Sequence, residues 1–450
     1  MKPVENMTEQ ATRALVISLD GLDARYLRRR DEYGLKIPTL RRLMAAGASS
    51  LDVVSVYPSV TYPVHTSIVT GALPARHGIV GNELFIPLGA PECGEWHWFA
   101  RDIRAETLWD AAQRRGLSTG IVSWPVAGGA GDYNVPEIKK LDGTPRESLA
   151  LMIEHARPCG IIQAAAARDP HLYAQANADE RDDMRTRFAE YMIAEKRPQL
   201  MLVHLFDLDH FQHDYGPFTP EAFALLEKLD AYVARLLAAS LRAGTLSETA
   251  VFIVSDHGFM PISRLIHPGV LLRRAGLLSM SEEMDAPGGG RPRMCVTNWR
   301  ALPSVTGGSC AIILRDAQDR EALEKARRAF CDLRSDGVEG VFEPGGVPFT
   351  LIEAEELRAM GAHPRAAFAL EAVDGYAFGS NYTGEAVTRS VQRGQHGYLP
   401  SRYSTTFLAS GAGIARRGDL GGVRIIDIGP TIAGSLGLTL RDADGQPLRL

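Results

Sequence analysis

Short runs of consecutive apolar residues alternate along this chain with longer stretches of helical periodicity. Residues 14–19, 119–124, 199–206 and 250–255 are apolar almost throughout, rather than at every second position. Continuous apolarity over so short a length predicts strands buried on both faces, as in a parallel sheet covered by helices. Between the last two runs, residues 220–242 place Leu225, Leu226, Leu229, Val233, Leu236 and Leu237 on one face of a long helix. Residues 405–410 predict a further strand. Asp427 then caps a helix reaching about Leu436, with Pro430 in its first turn. The pattern predicts an α/β protein with a mostly parallel central sheet and helices on both faces.

Residues 265–375 have a different texture. Gly- and Pro-rich sequence at 286–292 reads as a loop, followed by a strand at 310–314, a charged amphipathic helix over 319–333 and a strand near 368–371. The expected organisation is a core of residues 1–264 and 376–450, with 265–375 as a small α+β insertion.

Composition narrows the function classes. The 450 residues are 45% hydrophobic, with a formal net charge of -5. That balance argues against a nucleic-acid polymer or a membrane surface as partner. Arg25, Arg28, Arg29 and Arg30 read as a solvated helix face. Cys93, Cys159, Cys295, Cys310 and Cys331 are scattered, with no CxxC pair, which fits reduced thiols in a cytoplasmic enzyme. The polar N-terminus lacks an apolar signal core, and no run reaches membrane-spanning length. The oligomeric state is not readable.

Three predicted strands end on acidic residues: Asp20, then Asp207 and Asp209, then Asp256 with His257. Ligands of open α/β sheets bind beyond the carboxyl ends of the strands. Carboxylates gathered there repel one another unless cations intervene, so the placement points to a divalent metal centre. Asp209 and His213 stand at i and i+4, on one face of a helical turn; Asp207 and His210 are the competing pair. Mixed Asp/His ligation suits zinc, with manganese possible. Gly258 allows the sharp turn that Asp256 and His257 need to reach one ion. Gly394-Gln395-His396-Gly397 offers a late histidine ligand. His155, His171 and His363 read as surface or packing residues.

The nucleophile candidate lies in Tyr57-Pro58-Ser59-Val60-Thr61-Tyr62-Pro63-Val64-His65. Pro63 suits the first turn of a helix running to about Thr70, ended by Gly71, with Tyr62 held extended before the proline. Thr61 then lies just ahead of a helix N-terminus, where free N–H groups and the macrodipole favour a phosphate. A threonine hydroxyl needs deprotonation to attack, which a metal can promote. Otherwise Ser59 or Thr61 simply caps the helix.

These residues, with Leu19-Asp20-Gly21, Val69-Thr70-Gly71, His77-Gly78-Ile79, Ser123-Trp124-Pro125, Tyr215-Gly216-Pro217, Ser255 to Gly258 and His396-Gly397-Tyr398, resemble the nucleotide pyrophosphatase/phosphodiesterase family. That family belongs to the alkaline phosphatase superfamily, and the likeness runs through nearly the whole chain in order. The resemblance implies an alkaline-phosphatase-like fold and two divalent ions, zinc by preference. Asp209, His213 and His396 would hold one, and Asp20, Asp256, His257 and Thr61 the other. It makes Thr61 the nucleophile of a two-step reaction through a phosphothreonine. Asn82 would donate to a phosphate oxygen, and Tyr62 and Trp124 would help bind the substrate, a small phosphate ester. Two departures stand out: Gly81 replaces an acidic residue usual before the asparagine, and Tyr62 replaces a common phenylalanine.

Rival readings share much of this site. A phosphomonoesterase would differ in small features of the pocket, and a phosphonate (C–P) hydrolase would need lysines absent from residues 124–127. A non-catalytic metal- or phosphate-binding protein would need the fold without the nucleophile. Sulfatase motifs are missing around Thr61. Trp96, Trp98 and Phe99 either line the pocket or pack.

Overall fold

A nine-stranded sheet forms the centre of the protein, described here from a computed structural model. The structure describes residues 10–90, 92–140, 143–174, 181–284, 292–334 and 345–450. Most of the Gly/Pro-rich stretch expected as a loop at 286–292 lies outside these residues. In the sheet, Thr249–Val254, Arg13–Leu19 and Leu200–Leu205 are parallel neighbours, followed by Thr119–Val122 and Tyr133–Val135. On the other side of Thr249–Val254 lies Thr405–Gly411, antiparallel to it and to Ala48–Val54. An apolar run specifies a buried strand but carries no direction, so this reversal was not readable from pattern.

Alternation along Arg13–Leu19 separates the two layers of the core. Leu15, Ile17 and Leu19 face a layer built on Leu226, Leu229, Val233 and Leu236 of the helix Pro220–Arg242. Ala14 and Val16 face the other layer, with Val64 and Ile68 of the helix Thr61–Thr70 and Ile432 of the C-terminal helix. Burial on both faces explains why these strands read as unbroken apolar runs. Asp427 occupies the N-cap position of Ile428–Ser435, but its carboxylate pairs with Arg424 and accepts from the Gln446 N–H. The expected side-chain cap is therefore absent: a short 3₁₀ turn over Ile425–Asp427 leads into the helix instead.

Within 265–375, the expected strands appear as Ser309–Leu314 and Ala366–Ala372. They lie inside an antiparallel sheet ordered Ala301–Thr306, Ser309–Leu314, Ala366–Ala372, Phe349–Glu353. Its helix Arg320–Cys331 is capped by Asp319, which accepts from the Ala322 N–H, and buries Ala322, Ala326 and Phe330. Met260–Ile266 forms a third sheet with Gly375–Phe378, Val387–Arg389 and Gly394–Gln395. We propose that the join between core and insertion runs along this sheet.

Candidate metal centre and nucleophile

Three neighbouring parallel strands deliver their carboxyl ends side by side, and each end carries an acidic group. Asp20 follows Leu19, Asp209 lies in the helix Asp207–Tyr215 after Leu205, and Asp256-His257 follows Val254. The register pairs Ser18 with both His204 and Val254, so the chain leaves all three strands at one level. The late loop brings His396 to the same place. Asp20, Asp256 and His257 offer ligand atoms within 4.8 Å of one another, as do Asp209, His257 and His396. Either group could hold a metal ion.

The imidazole of His257 is shared between them. Its Nε2 lies 3.1 Å from Asp256 Oδ2, 3.4 Å from Asp20 Oδ1 and 4.0 Å from Asp209 Oδ1. His396 Nε2 is 3.5 Å from Asp209 Oδ1. His213 stands one step further out, with Nε2 3.6 Å from Asp209 Oδ2. The His213 Nδ1 lies 3.0 Å from the Gly394 carbonyl and donates to it, which fixes the tautomer and leaves Nε2 as the bare ligand atom. Asp209 and His213 thus face one another, whereas Asp207 accepts from the Asp182 N–H and His210 lies on the exposed side near Asp214.

Charge at this site is unbalanced within the protein. Asp20 Oδ1, Asp209 Oδ1 and Asp256 Oδ2 are buried without a hydrogen-bond partner. Burial, then repulsion by Asp256 and Asp209, pushes the Asp20 carboxyl well above its usual range. Burial likewise raises Asp209 and Asp256 to about 7. Burial and neighbouring histidines hold His257 and His396 well below the ordinary imidazole value, so they are neutral. Two like charges 4 Å apart cost roughly 4 kcal/mol at an effective dielectric near 20. Orphaned carboxylate oxygens beside neutral imidazoles form a donor set that fits divalent cations.

Thr61 opens onto the same point, its Oγ1 3.5 Å from His257 Nε2. The helix begins at Thr61, so Thr61 is its first residue rather than lying just ahead of it, with Pro63 in the first turn as expected, and it runs to Thr70, ended by Gly71 with φ +67°. Tyr62 is consequently helical rather than extended. The reason is Asn82, whose Oδ1 accepts from the Tyr62 N–H at 2.9 Å and takes up a free amide of the first turn. With Oδ1 committed to that donor, the Asn82 NH₂ group is the one left to donate. Pro63, third in the helix, has no N–H to lose. His65 secures the turn from below: its ring lies 2.8 Å from both the Thr61 carbonyl and Ser18 Oγ.

Two expected substrate contacts have no open face in this structure. Tyr62 is 1% exposed, with Trp96 and Trp98 edge-on to its ring at 5.2 and 6.1 Å. Trp124 is fully buried among core residues, edge-on to His65 at 5.1 Å. Their sequence positions beside the nucleophile and at a strand end say nothing of which way the rings turn. Both turn inward.

His204 was missed by sequence reasoning. Its Nε2 lies 2.9 Å from Asp20 Oδ2 and its Nδ1 3.0 Å from the Ser123 carbonyl, with Glu137 3.6 Å away. Burial alone would lower its pKa, but Asp20 and Glu137 push it up to about 10. A signal was present: one histidine inside the apolar strand Leu200–Leu205 must have a buried partner.

With this geometry established, the comparisons with known proteins decide the family. Residues 14–399 match the family model of type I phosphodiesterase / nucleotide pyrophosphatase. The chain belongs to that family. Human ectonucleotide pyrophosphatase/phosphodiesterase family member 1 is 26% identical over 253 residues, covering 54% of this chain and 23% of that protein. Human family member 5 is 24% identical over 255 residues, covering 56% and 46%. The chain thus spans less than half the length of these curated relatives. Among solved structures, the human member 5 superposes with a TM-score of 0.60 at 17% identity, over 96% of this chain and 97% of that one. The murine member 5, described as inactive through a threonine-to-alanine change and in complex with AMP, gives 0.61 at 19% identity over 97% and 98%. These likenesses confirm the alkaline-phosphatase-like α/β fold expected from the sequence.

Proposed function

We propose that this chain is a metal-dependent hydrolase cleaving phosphate diesters or nucleotide pyrophosphates through a phosphothreonine on Thr61. The observation that carries the reading is the meeting of Thr61 Oγ1, at a buried helix N-terminus, with two Asp/His groups that share His257. The inactive threonine-to-alanine relative holding AMP supports both the nucleophile and a nucleotide-like substrate. Asp209, His213 and His396 would hold one divalent cation and Asp20, Asp256 and His257 the other, with Thr61 facing the second. Zinc suits these donors, and manganese remains compatible. Such ions supply charge stabilisation to the phosphoryl group and favour loss of the nucleophile's proton.

The chain's own residues do the rest. Thr61 Oγ forms the new bond to phosphorus as the ester or anhydride oxygen departs with its electron pair. Water then hydrolyses the phosphothreonine, which still carries the second ester, releasing a phosphomonoester and returning the hydroxyl. The Asn82 NH₂ group and the Thr61 amide at the start of the helix would donate to the non-bridging oxygens, where the helix N-terminus favours negative charge. The five free thiols support a reducing, cytoplasmic location. Among the described residues no helix is long and apolar enough to cross a membrane.

Hydrolysis of bis-p-nitrophenyl phosphate against p-nitrophenyl phosphate, with zinc and after chelation, tests the reading. Zinc-dependent preference for the diester is expected. Preference for the monoester would move the assignment to a phosphomonoesterase on the same residues. Inactivity on both, with metal bound, would leave a phosphonate hydrolase or a non-catalytic binding protein.

A further inference from the structure

Lys139 carries a positive charge into the neighbourhood of this centre without spending it on a carboxylate. Its Nζ lies 4.5 Å from the centre of the Trp96 ring. Trp96 stacks on Trp98 at 5.6 Å and meets Tyr62, the residue after Thr61, edge-on at 5.2 Å. The ammonium therefore stands one aromatic ring away from the nucleophile's neighbour. Among the described residues no carboxylate is within ion-pair distance of it, whereas the adjacent Lys140 is paired with Glu147 at 3.3 Å.

A second cationic group stands at the end of a central strand. Arg185 lies over Phe206 at 3.5 Å and Arg181 at 5.5 Å, at the end of the strand that leads to Asp209. Arg185 is engaged by Asp182 at 3.2 Å, while Arg181 has no ion pair among the described residues. Burial lowers the Lys139 pKa from its ordinary value; Glu137 and Asp209 act the other way, and Arg181 and Arg185 add to the lowering. Of the cluster carboxylates, Asp209 is thus the one whose field Lys139 shares.

The anions that act on this half-buried ammonium are shared with other groups, Glu137 with His204 at 3.6 Å and Asp209 with the histidines of the centre, so an anion in direct contact would still be favourable. The aromatic faces beside Thr61 are meanwhile occupied by one another, so the group attached to phosphorus meets charge there, not an open ring. We propose that Lys139 is a specificity-determining residue that receives a second anionic group of the substrate, a phosphate or carboxylate on the leaving side of phosphorus, with Arg181 flanking it. The inference rests on the hydrolase reading above. It predicts a preference for anhydrides and for esters whose leaving group bears its own negative charge.

Calorimetric titration of the metal-loaded full chain with two non-hydrolysable probes tests this. The probes are 3-phosphonopropionate and propylphosphonate, which differ by a carboxylate in place of a methyl group. Lys139→Met keeps the aliphatic stem on Trp96 and removes the charge. It should weaken 3-phosphonopropionate about tenfold, the scale of one charge-assisted contact, and leave propylphosphonate within about twofold. Lys139→Arg should restore most of the difference. Equal weakening of both probes, or no weakening of the carboxylate-bearing one, would overturn the proposal. So would wild-type protein that does not favour that probe. Failure of the hydrolase reading would look different: no turnover of chromogenic esters by a wild-type protein that still shows the Lys139-dependent contrast.

Discussion

Two sets of buried aspartates in this protein have opposite surroundings. Asp230, 2% exposed, sits inside the long helix and accepts from the Thr39 and Leu40 N–H groups at 3.0 and 2.7 Å, tying down the helix Pro38–Ala46. Asp23 is equally buried and accepts from the Arg25 amide and its guanidinium. Asp20, Asp209 and Asp256 each keep one oxygen with no hydrogen-bond partner. A buried carboxylate that serves the fold is answered by donors of the fold. Three unanswered oxygens converging on neutral imidazoles point instead to something that binds.

The sharpest way to break this contrast is to remove the nucleophile. Thr61→Ala should lower turnover of a chromogenic diester by at least about a thousandfold, because the covalent route is lost, while metal content stays nearly unchanged. Normal turnover in that variant would end the nucleophile assignment.

The two aspartate sets should then respond with opposite sign. Asp230→Ala strands two helix amides and should cost about 1–3 kcal/mol in urea denaturation without altering metal content. Asp209→Asn removes an uncompensated buried charge, so the metal-free protein should gain about 2 kcal/mol at pH 8 while losing metal affinity. A loss of stability in the metal-free Asp209→Asn protein would contradict the electrostatic account.

A smaller effect concerns pH. Folded-state values near 7 for Asp209 and Asp256 lie above the ordinary carboxyl value, so the metal-free fold favours their protonated forms. Their contribution is complete below about pH 4 and is lost as pH rises through about 7. Chelation should therefore lower the melting temperature by several degrees more at pH 8 than at pH 5.5. The smallest expected effect belongs to Glu371, which accepts from the Leu399 N–H and is raised to about 8 by burial. The same sign applies between about pH 4.5 and 8, so Glu371→Gln should be the more stable form at pH 8.5, by about 1 kcal/mol, and nearly neutral at pH 5. Thermal unfolding at both pH values reads the difference.

Much of the centre was legible because its chemistry interrupts a pattern. Asp20, Asp209 and Asp256 end apolar strands, and Thr61 precedes a proline in a helix closed by Gly71. What was not legible depends on sheet neighbours or on side-chain direction. His204 meets Asp20 only because their strands are adjacent. Lys139 reaches Trp96 across a fold that no spacing encodes. The paired strands Leu278–Met284 and Pro292–Trp299 escaped because Glu282, Glu283 and Arg293 interrupt their sequence and leave no apolar run. Tyr62 and Trp124 stand out in the sequence by position, but the inward turn of their rings is set by packing.

Metal stoichiometry by plasma mass spectrometry, wild type beside Asp209→Asn, tests the central claim most directly. The account predicts two divalent ions per wild-type chain and about one in the variant, because the Asp20, Asp256 and His257 group is left intact. Wild-type protein that binds no ion, or a variant that keeps both, would contradict it.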